Sequence, residues 1–304
     1  MARKIRETST VLAMFLTVLV AGTVNAGVTA PTPGGASPSE TSAAGSAVGE
    51  SEAANEEQPK GELDTVEKMV RESQNPLSKV YSLPLQGHIN MGIGPKLQTQ
   101  YVMNIQPVVP VPLSDKLLMI NRLILPFMSN PGYYTGGDRQ WGLSDTSYTA
   151  WLSPNKPGTF LWGAGVACTL PTATEDSMGN DKWAFGPSFV MVIFKGKFVM
   201  GGVFQNTWST GGSGRHDTNN FFSQIFINYN IGGGWYVSTM PIFTADWNAE
   251  DTWVVPIGAT IGKGFKLGGQ MIDFNLGYYH NVVRPDAAPR SKVLFTLKFL
   301  WARK

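Results

Sequence analysis

Three histidines, one cysteine and two short acidic runs are the side chains in this 304-residue sequence that could break a bond or hold a metal. A nucleophile needs a base within hydrogen-bond reach. His88, His216 and His280 have no serine within two residues of them, and His216-Asp217 follows the glycine-rich Gly211-Gly212-Ser213-Gly214. That glycine run is followed by no helical pattern, so it lacks the helix N-terminus that holds a phosphate. Cys168 stands in an apolar stretch and reads as a small packed side chain. As the sole cysteine it forms no disulfide within the chain. Glu175-Asp176 with Asp181, and Glu250-Asp251, carry oxygens suited to Ca²⁺ or Mg²⁺, but they fall between predicted strands, where carboxylates are commonly solvated. No enzyme, metal or cofactor is expected from these residues.

A larger set does different chemistry. Gln86, His88 and Asn90, then Gln98, Gln100, Asn104 and Gln106, then Gln224 and Asn228, then Asp273 and Asn275 recur at spacings of two or four. Amides in such rows can hydrogen-bond a neutral or weakly charged solute, while Arg122, Asp145, Lys292 and Lys298 set charge selectivity. Arg122 joins the inward set because an arginine facing lipid at mid-depth costs about 2–4 kcal/mol. The alternative is a polar network that fills and stiffens a closed interior.

These residues must be positioned by strands. Tyr81, Leu83, Leu85, Ile89 and Met91 alternate with Ser82, Gln86, His88 and Asn90, and Val293, Phe295, Leu297, Phe299 and Trp301 alternate with Lys292, Thr296 and Lys298. Period two is the signature of strands with one apolar and one polar face. About twelve such strands are predicted, over 80–93, 97–111, 116–128, 142–153, 159–170, 182–194, 198–209, 219–231, 235–245, 252–262, 268–281 and 291–301, with ends uncertain by about 2–4 residues. Long polar connections (Ser129–Gln140, Pro171–Asp181, Thr210–Thr218) alternate with short ones (Leu113–Lys116, Lys195–Lys197, Gly232–Gly234). That is the pattern of a transmembrane antiparallel up-and-down β-barrel with outer loops and periplasmic turns, although Gly94–Lys96 is short on the outer side. The nine tryptophans all fall near predicted strand ends, where interfacial girdles form. Charged residues are 15% of the chain, against about 25% in a soluble domain. Pro107, Pro110, Pro126, Pro241 and Pro256 fall inside strands and are expected to mark bulges or kinks.

The N-terminal quarter is different. Arg3, Lys4 and Arg6, the apolar Val11–Ala21 and Val24-Asn25-Ala26 predict a cleavable secretory signal over 1–26. A low-complexity Ala/Ser/Gly/Glu/Pro leader over 27–60 is expected to be disordered. Leu63, Val66, Met69 and Val70 predict a short helix within 61–76, ended by Asn75-Pro76, that plugs the barrel mouth or tethers the leader. The barrel is expected over 77–304. No basic stripe for nucleic acid is visible.

Gln74-Asn75-Pro76, Ser82-Leu83-Pro84-Leu85-Gln86, Gly92-Ile93-Gly94-Pro95 and Asn104-Ile105-Gln106-Pro107-Val108-Val109-Pro110 appear in order, followed by Ala150-Trp151-Leu152-Ser153-Pro154 and Thr244-Ala245-Asp246-Trp247. Over roughly Asn75–Trp301 the chain resembles the outer-membrane transporter family labelled MetA-pathway of phenol degradation, some members of which carry the label neuromedin U. The resemblance implies an outer-membrane channel or facilitated-diffusion transporter for small solutes, with hydrophobic or aromatic compounds as the class. Its partners would be outer-membrane lipid, lipopolysaccharide, the solute, and the barrel-assembly machinery acting on the C-terminal strand. A closed structural or adhesion barrel and an outer-membrane lipid hydrolase are the alternatives.

Overall fold

A computed structural model describes residues 60–214, 216–250 and 252–301. The expected signal over 1–26 and all but the last residue of the leader over 27–60 lie outside the described residues. The described chain opens with helix α1 (Lys60–Ser73). It continues through β1 (Tyr81–Ile93), β2 (Gln98–Ile105), β3 (Val108–Ser114), β4 (Leu117–Asn130), a single helical turn α2 (Gly132–Thr135), β5 (Gln140–Leu143), β6 (Thr146–Pro154) and β7 (Phe160–Leu170). Then follow β8 (Lys182–Lys195), β9 (Phe198–Gly212), β10 (Asn219–Gly232), β11 (Trp235–Thr239), β12 (Ile242–Asp246), β13 (Trp253–Leu267), β14 (Gln270–Val283) and β15 (Ser291–Trp301). The pairs β2/β3, β5/β6 and β11/β12 are each one strand interrupted, so fifteen segments make twelve barrel strands. Every neighbour is antiparallel, and β15 pairs back to β1 from Tyr81↔Trp301 to Met91↔Ser291, closing the sheet.

Closure separates two environments. The outward positions stay exposed as a belt of Phe189, Ile225, Ile227, Val237, Ile257, Ile261, Phe274, Leu276 and others. In a soluble sandwich such a belt would be buried; here it faces hydrocarbon. Aromatic residues edge it at both ends. Trp141, Trp183, Trp208, Trp247 and Trp253 ring the loop end, and Trp162, Trp235 and Trp301 the turn end. Trp151 departs from the expected girdle. It is 1% exposed and points inward, because it shares the inward parity of Thr149 and Ser153.

The two ends differ as the connection lengths predict. Four two-residue turns (115–116, 196–197, 233–234 and 268–269) and the five-residue connection 155–159 lie at one end. The other carries the long loops 131–139, 171–181, 213–218, 247–252 and 284–290. The short connection at Gly94 is roofed over: Gly94 has φ +64°, and a side chain there would meet the Tyr133 ring. Next to it the Tyr134 hydroxyl donates to the Ala287 carbonyl at 2.7 Å, joining the loops on either side of the short turn.

The prolines have distinct effects. Pro107 separates β2 from β3, Pro241 separates β11 from β12, and Pro256 sits at a register shift against β14. Each lies where a ladder N–H would otherwise be needed. Pro110 and Pro126 keep register with Ile120 and Asn104, and the Pro126 carbonyl accepts from Ser144 N–H at the β5/β6 break.

The belt reading has a direct test. Ile261 sits mid-strand in β13 and faces outward, so Ile261→Arg should cost about 2–4 kcal/mol in reversible unfolding from lipid vesicles. Trp301→Arg, at the rim, should cost about 0–1 kcal/mol in the same titration.

Candidate functional site: a cavity inside the barrel

The inward faces are not uniform. On one side, hydrogen-bonded amides run along β1 to β4. The Arg122 guanidinium donates to Gln106 Oε1 at 2.8 Å, Gln106 Nε2 donates to Gln86 Oε1 at 2.8 Å, and Gln86 Nε2 reaches Thr296 Oγ1. His88 Nε2 lies 3.1 Å from Gln86 Oε1 and 3.3 Å from Asn104 Nδ2. Nearer the loop end, Asn90 donates to Gln100, Gln100 to Asn130, and Asn130 to the Ser177 carbonyl, each at 2.7 Å. The chain of amides thus ends on an outer loop that folds inward.

The opposite side is apolar. Leu118 and Ile120, Trp151, Val190 and Val192, Val199 and Val203, and Phe226 form one buried cluster. Leu77, from the segment after α1, is inserted among them. The Trp151 indole N–H is satisfied by Ser188 Oγ at 2.9 Å, so burying this large ring leaves no orphan donor.

Between the two walls lies a cavity of about 150 Å³. Gln86, Gln106, Arg122, Gln224, Asn228, Asp273, Asn275 and Lys298 line it, with Trp151, Phe226, Val108, Tyr236 and Met240 on the apolar side. Of the fifteen polar positions read from the sequence, these eight meet in one place. His88, Asn90, Gln100 and Asn104 belong to the amide chain towards the loop end. Gln98 Oε1 accepts from Tyr133 N–H in the outer loop. The Lys292 ammonium lies 5.6 Å from the Tyr279 ring centroid. Asp145 sits in the break between β5 and β6, where its carboxylate accepts from Ala173 N–H (3.1 Å) and Asn180 N–H (2.8 Å).

The floor of the cavity is supplied by the chain's own N-terminal segment. Glu72, Ser73, Gln74, Asn75, Pro76 and Ser78 line it. Val66 and Val70 of α1 are buried against Tyr236, Met271 and Leu300. The helix approaches so closely at Gly264 that a side chain there would lie 2.1 Å from Val70. Ser73 Oγ donates to Asp273 Oδ2 (2.6 Å), and the Tyr236 hydroxyl donates to Asp273 Oδ1 (2.7 Å), so this buried carboxylate is satisfied on both oxygens. Lys298 donates to the Ser73 carbonyl at 2.6 Å, and Gln74 and Asn230 exchange two amide hydrogen bonds. At the turn end, Arg71 donates to the Gly196 carbonyl, and Glu67 accepts from Gly233 N–H.

The sequence profile of the family described as "Putative MetA-pathway of phenol degradation" matches residues 107–297. The chain belongs to this family. Its fold is similar to that of an outer membrane channel from Pseudomonas putida F1, at 16% identity and a TM-score of 0.56, over 73% of this chain and 95% of that one. Lower similarity extends to the NanC porin (9% identity, TM-score 0.47, 73% of this chain and 100% of that one). The CymD monoaromatic hydrocarbon channel aligns at 12% identity and a TM-score of 0.41, over 76% of this chain and 92% of that one. No curated protein sequence matches. A closed barrel with a lipid-facing belt, in a chain of this family, is an outer-membrane protein.

Several residues of the site were legible and unread. Phe226 stands between Gln224 and Asn228, and Tyr279 shares parity with Asp273 and Asn275, so period two already placed both inside. The N-terminal floor carries no such signal, because nothing in Ser73–Ser78 encodes which wall it meets.

The loop end responds to pH through two carboxylates outside the strands. Burial pushes Asp145 above the usual carboxylate range, opposed by the N–H groups of Asn180 and Ala173. A raised acid pKa favours the folded loop below the unfolded value and loses that contribution as pH rises through the folded one. Asp217 is held low by Lys182, 2.6 Å away, so that tether is present at neutral pH and lost as pH falls through the lowered pKa. Asp145→Ala removes two bonds to a charged group, each worth about 1.5–3 kcal/mol, so protease cleavage within 171–181 should rise about a hundredfold or more. Asp145→Asn should flatten the pH dependence of that cleavage.

Proposed function

We propose that this protein is a channel for small solutes, with the two-walled cavity as its constriction. The observation that carries the reading is the cavity's split lining. Trp151 and Phe226 offer apolar surface while Arg122, Gln106 and Gln86 offer donors and acceptors in the same lining. Such a lining accepts a small amphipathic molecule, either an aromatic ring with a polar substituent or a compact neutral solute. All fifteen polar positions named from the sequence belong to this reading, the seven outside the cavity serving the approach from the loop end. The remaining partners are lipopolysaccharide at the acidic outer loops and the assembly machinery acting on β15. The segments before α1 are read as a secretory signal and a periplasmic leader.

A catalytic role has less support. His88 contacts only amides, His280 faces outward, and His216 lies in an outer loop. Among the described residues no cluster of three His, Cys, Asp or Glu side chains could hold a metal. A closed structural barrel is favoured by one specific feature, the N-terminal segment seated across the floor.

Conductance decides between pore and closed barrel. In planar bilayers the protein should pass small ions in brief openings limited by the N-terminal segment. Arg71→Ala with Gln74→Ala removes bonds worth about 1 kcal/mol each, shifting the plugged-to-open ratio about fivefold per bond and raising open time. Bridging Gln74→Cys to Asn230→Cys with a short thiol cross-linker should hold the pore shut. Silence from all three proteins, with no solute uptake by cells, would leave the structural barrel standing.

A further inference from the structure

The charges around the cavity are unequally matched. Asp273 faces Lys298 across the β14–β15 ladder, and its oxygens are taken by Ser73 and Tyr236. Glu72, on the floor, accepts from Ser78 Oγ at 2.7 Å. Arg122 is different. It stands near the middle of β4, opposite Val108 on one side and Thr149 on the other. No carboxylate among the described residues forms an ion pair with it. A guanidinium carries several N–H donors in a planar fork, and the one acceptor that Arg122 meets among the described residues is Gln106 Oε1.

Gln106 solvates that charge without neutralising it. Its own amide donates onward to Gln86, so the row turns a neutral oxygen towards Arg122 and nothing more. A guanidinium drawn out of water in this way still calls for an anion. Lys292, nearer the loop end on β15, lies beside the Tyr279 ring and also has no carboxylate in ion-pair range among the described residues. A second group in the lining is unsatisfied in the opposite sense. Asn275 is 4% exposed; its Nδ2 donates to the Tyr236 hydroxyl at 3.3 Å, and its Oδ1 has no hydrogen-bond partner. Buried amide oxygens are nearly always bonded, so this one calls for a donor. Trp151 and Phe226 add apolar surface to the same lining. A cavity of about 150 Å³ has room for one benzene ring.

The geometry points to a site for a single-ring aromatic acid: Arg122 takes the carboxylate, Asn275 Oδ1 takes a hydroxyl on the ring, and Trp151 and Phe226 take the ring itself. This names the solute class of the cavity and rests on the channel reading of it. A carboxylate meets the guanidinium fork with paired, charge-assisted hydrogen bonds. A neutral solute of the same shape leaves Arg122 without a counter-charge, and an inorganic anion gains nothing from Trp151 and Phe226.

Titration calorimetry on the full-length protein in detergent micelles reads binding without requiring a current. The probes are benzoate, its neutral isostere benzamide, and 3- and 4-hydroxybenzoate, at neutral pH. Benzoate should bind about tenfold or more tighter than benzamide. One of the hydroxybenzoates should bind about fivefold tighter than benzoate. Arg122→Gln should erase the preference for benzoate over benzamide, and Arg122→Lys should keep part of it, because lysine retains the charge and lacks the fork. Asn275→Ala should bring the hydroxybenzoates to the level of benzoate. Heat-shifted gel migration checks that each variant has refolded, and the benzoate–benzamide comparison needs no variant at all. Equal binding of those two, or binding of neither, overturns the site, as does a preference that survives Arg122→Gln in folded protein. Hydroxybenzoates no tighter than benzoate overturn the role of Asn275. In planar bilayers the tighter hydroxybenzoate should block the ion current of the unmodified protein. Binding with silent bilayers overturns the channel reading and leaves the site standing; current without benzoate binding overturns the site alone.

Discussion

Hydrocarbon offers no partner to a peptide N–H or C=O, and this requirement governs the rest of the molecule. It is met at one place above all: the ladder between β1 and β15, which joins the first and last strands of the barrel from Tyr81↔Trp301 to Met91↔Ser291. Without that pairing there would be two free edges in lipid. With it, every strand acquires an inside and an outside, and period two becomes a division of labour. Phe295, Leu297 and Phe299 face out while Leu294, Thr296 and Lys298 face in, along the strand that makes the closure. The polar interior is affordable only because the exterior is apolar, and both depend on the sheet having no end.

The division was legible because it is local. Alternation from Ser82 to Asn90 and from Asp273 to Asn275 needs no knowledge of what lies opposite, and the predicted strands fall on the observed ones within a few residues at most ends. The largest discrepancy is β13, which runs to Leu267 rather than residue 262, because Gly262 and Gly264 resemble a turn when they are sites of close approach. Trp151 was misplaced for a related reason. Its type argued for the girdle while its parity with Thr149 and Ser153 argued for the lumen, and parity is the stronger constraint because the backbone imposes it on every residue.

What alternation cannot convey is which wall meets which. The apolar cluster assembles side chains from five barrel strands and Leu77, and the sequence separation between its members runs up to more than a hundred residues. Taken one at a time, Val190, Val199 and Phe226 look like unremarkable exceptions on polar faces. Only the closed barrel brings them to one side and leaves the amides on the other. The inward fold of the 171–181 loop is similarly hidden, since the Ser177 carbonyl meets Asn130 and the Met178 carbonyl accepts from Ser144 Oγ across the barrel mouth.

The prolines connect these levels. A closed sheet should exclude them, yet three interruptions carry one or lie against one, and their consequences differ. At Pro107 the neighbouring ladder continues, because Gln106 N–H reaches the Pro84 carbonyl and Leu123 N–H reaches the Pro107 carbonyl. At the β5/β6 break Ser144 N–H reaches the Pro126 carbonyl, and the interruption frees Asp145 to hold an outer loop. At Pro241 the backbone ladder to β13 lapses from residue 239 to 243 and side chains take its place: Thr239 Oγ1 donates to the Gly258 carbonyl, Pro256 on β13 removes another donor, and Met240 N–H is taken up by the Tyr279 hydroxyl two strands away. The same residue type therefore serves kinks that backbone groups repair and one that side chains repair. The difference lies in whether the facing strand still supplies a donor.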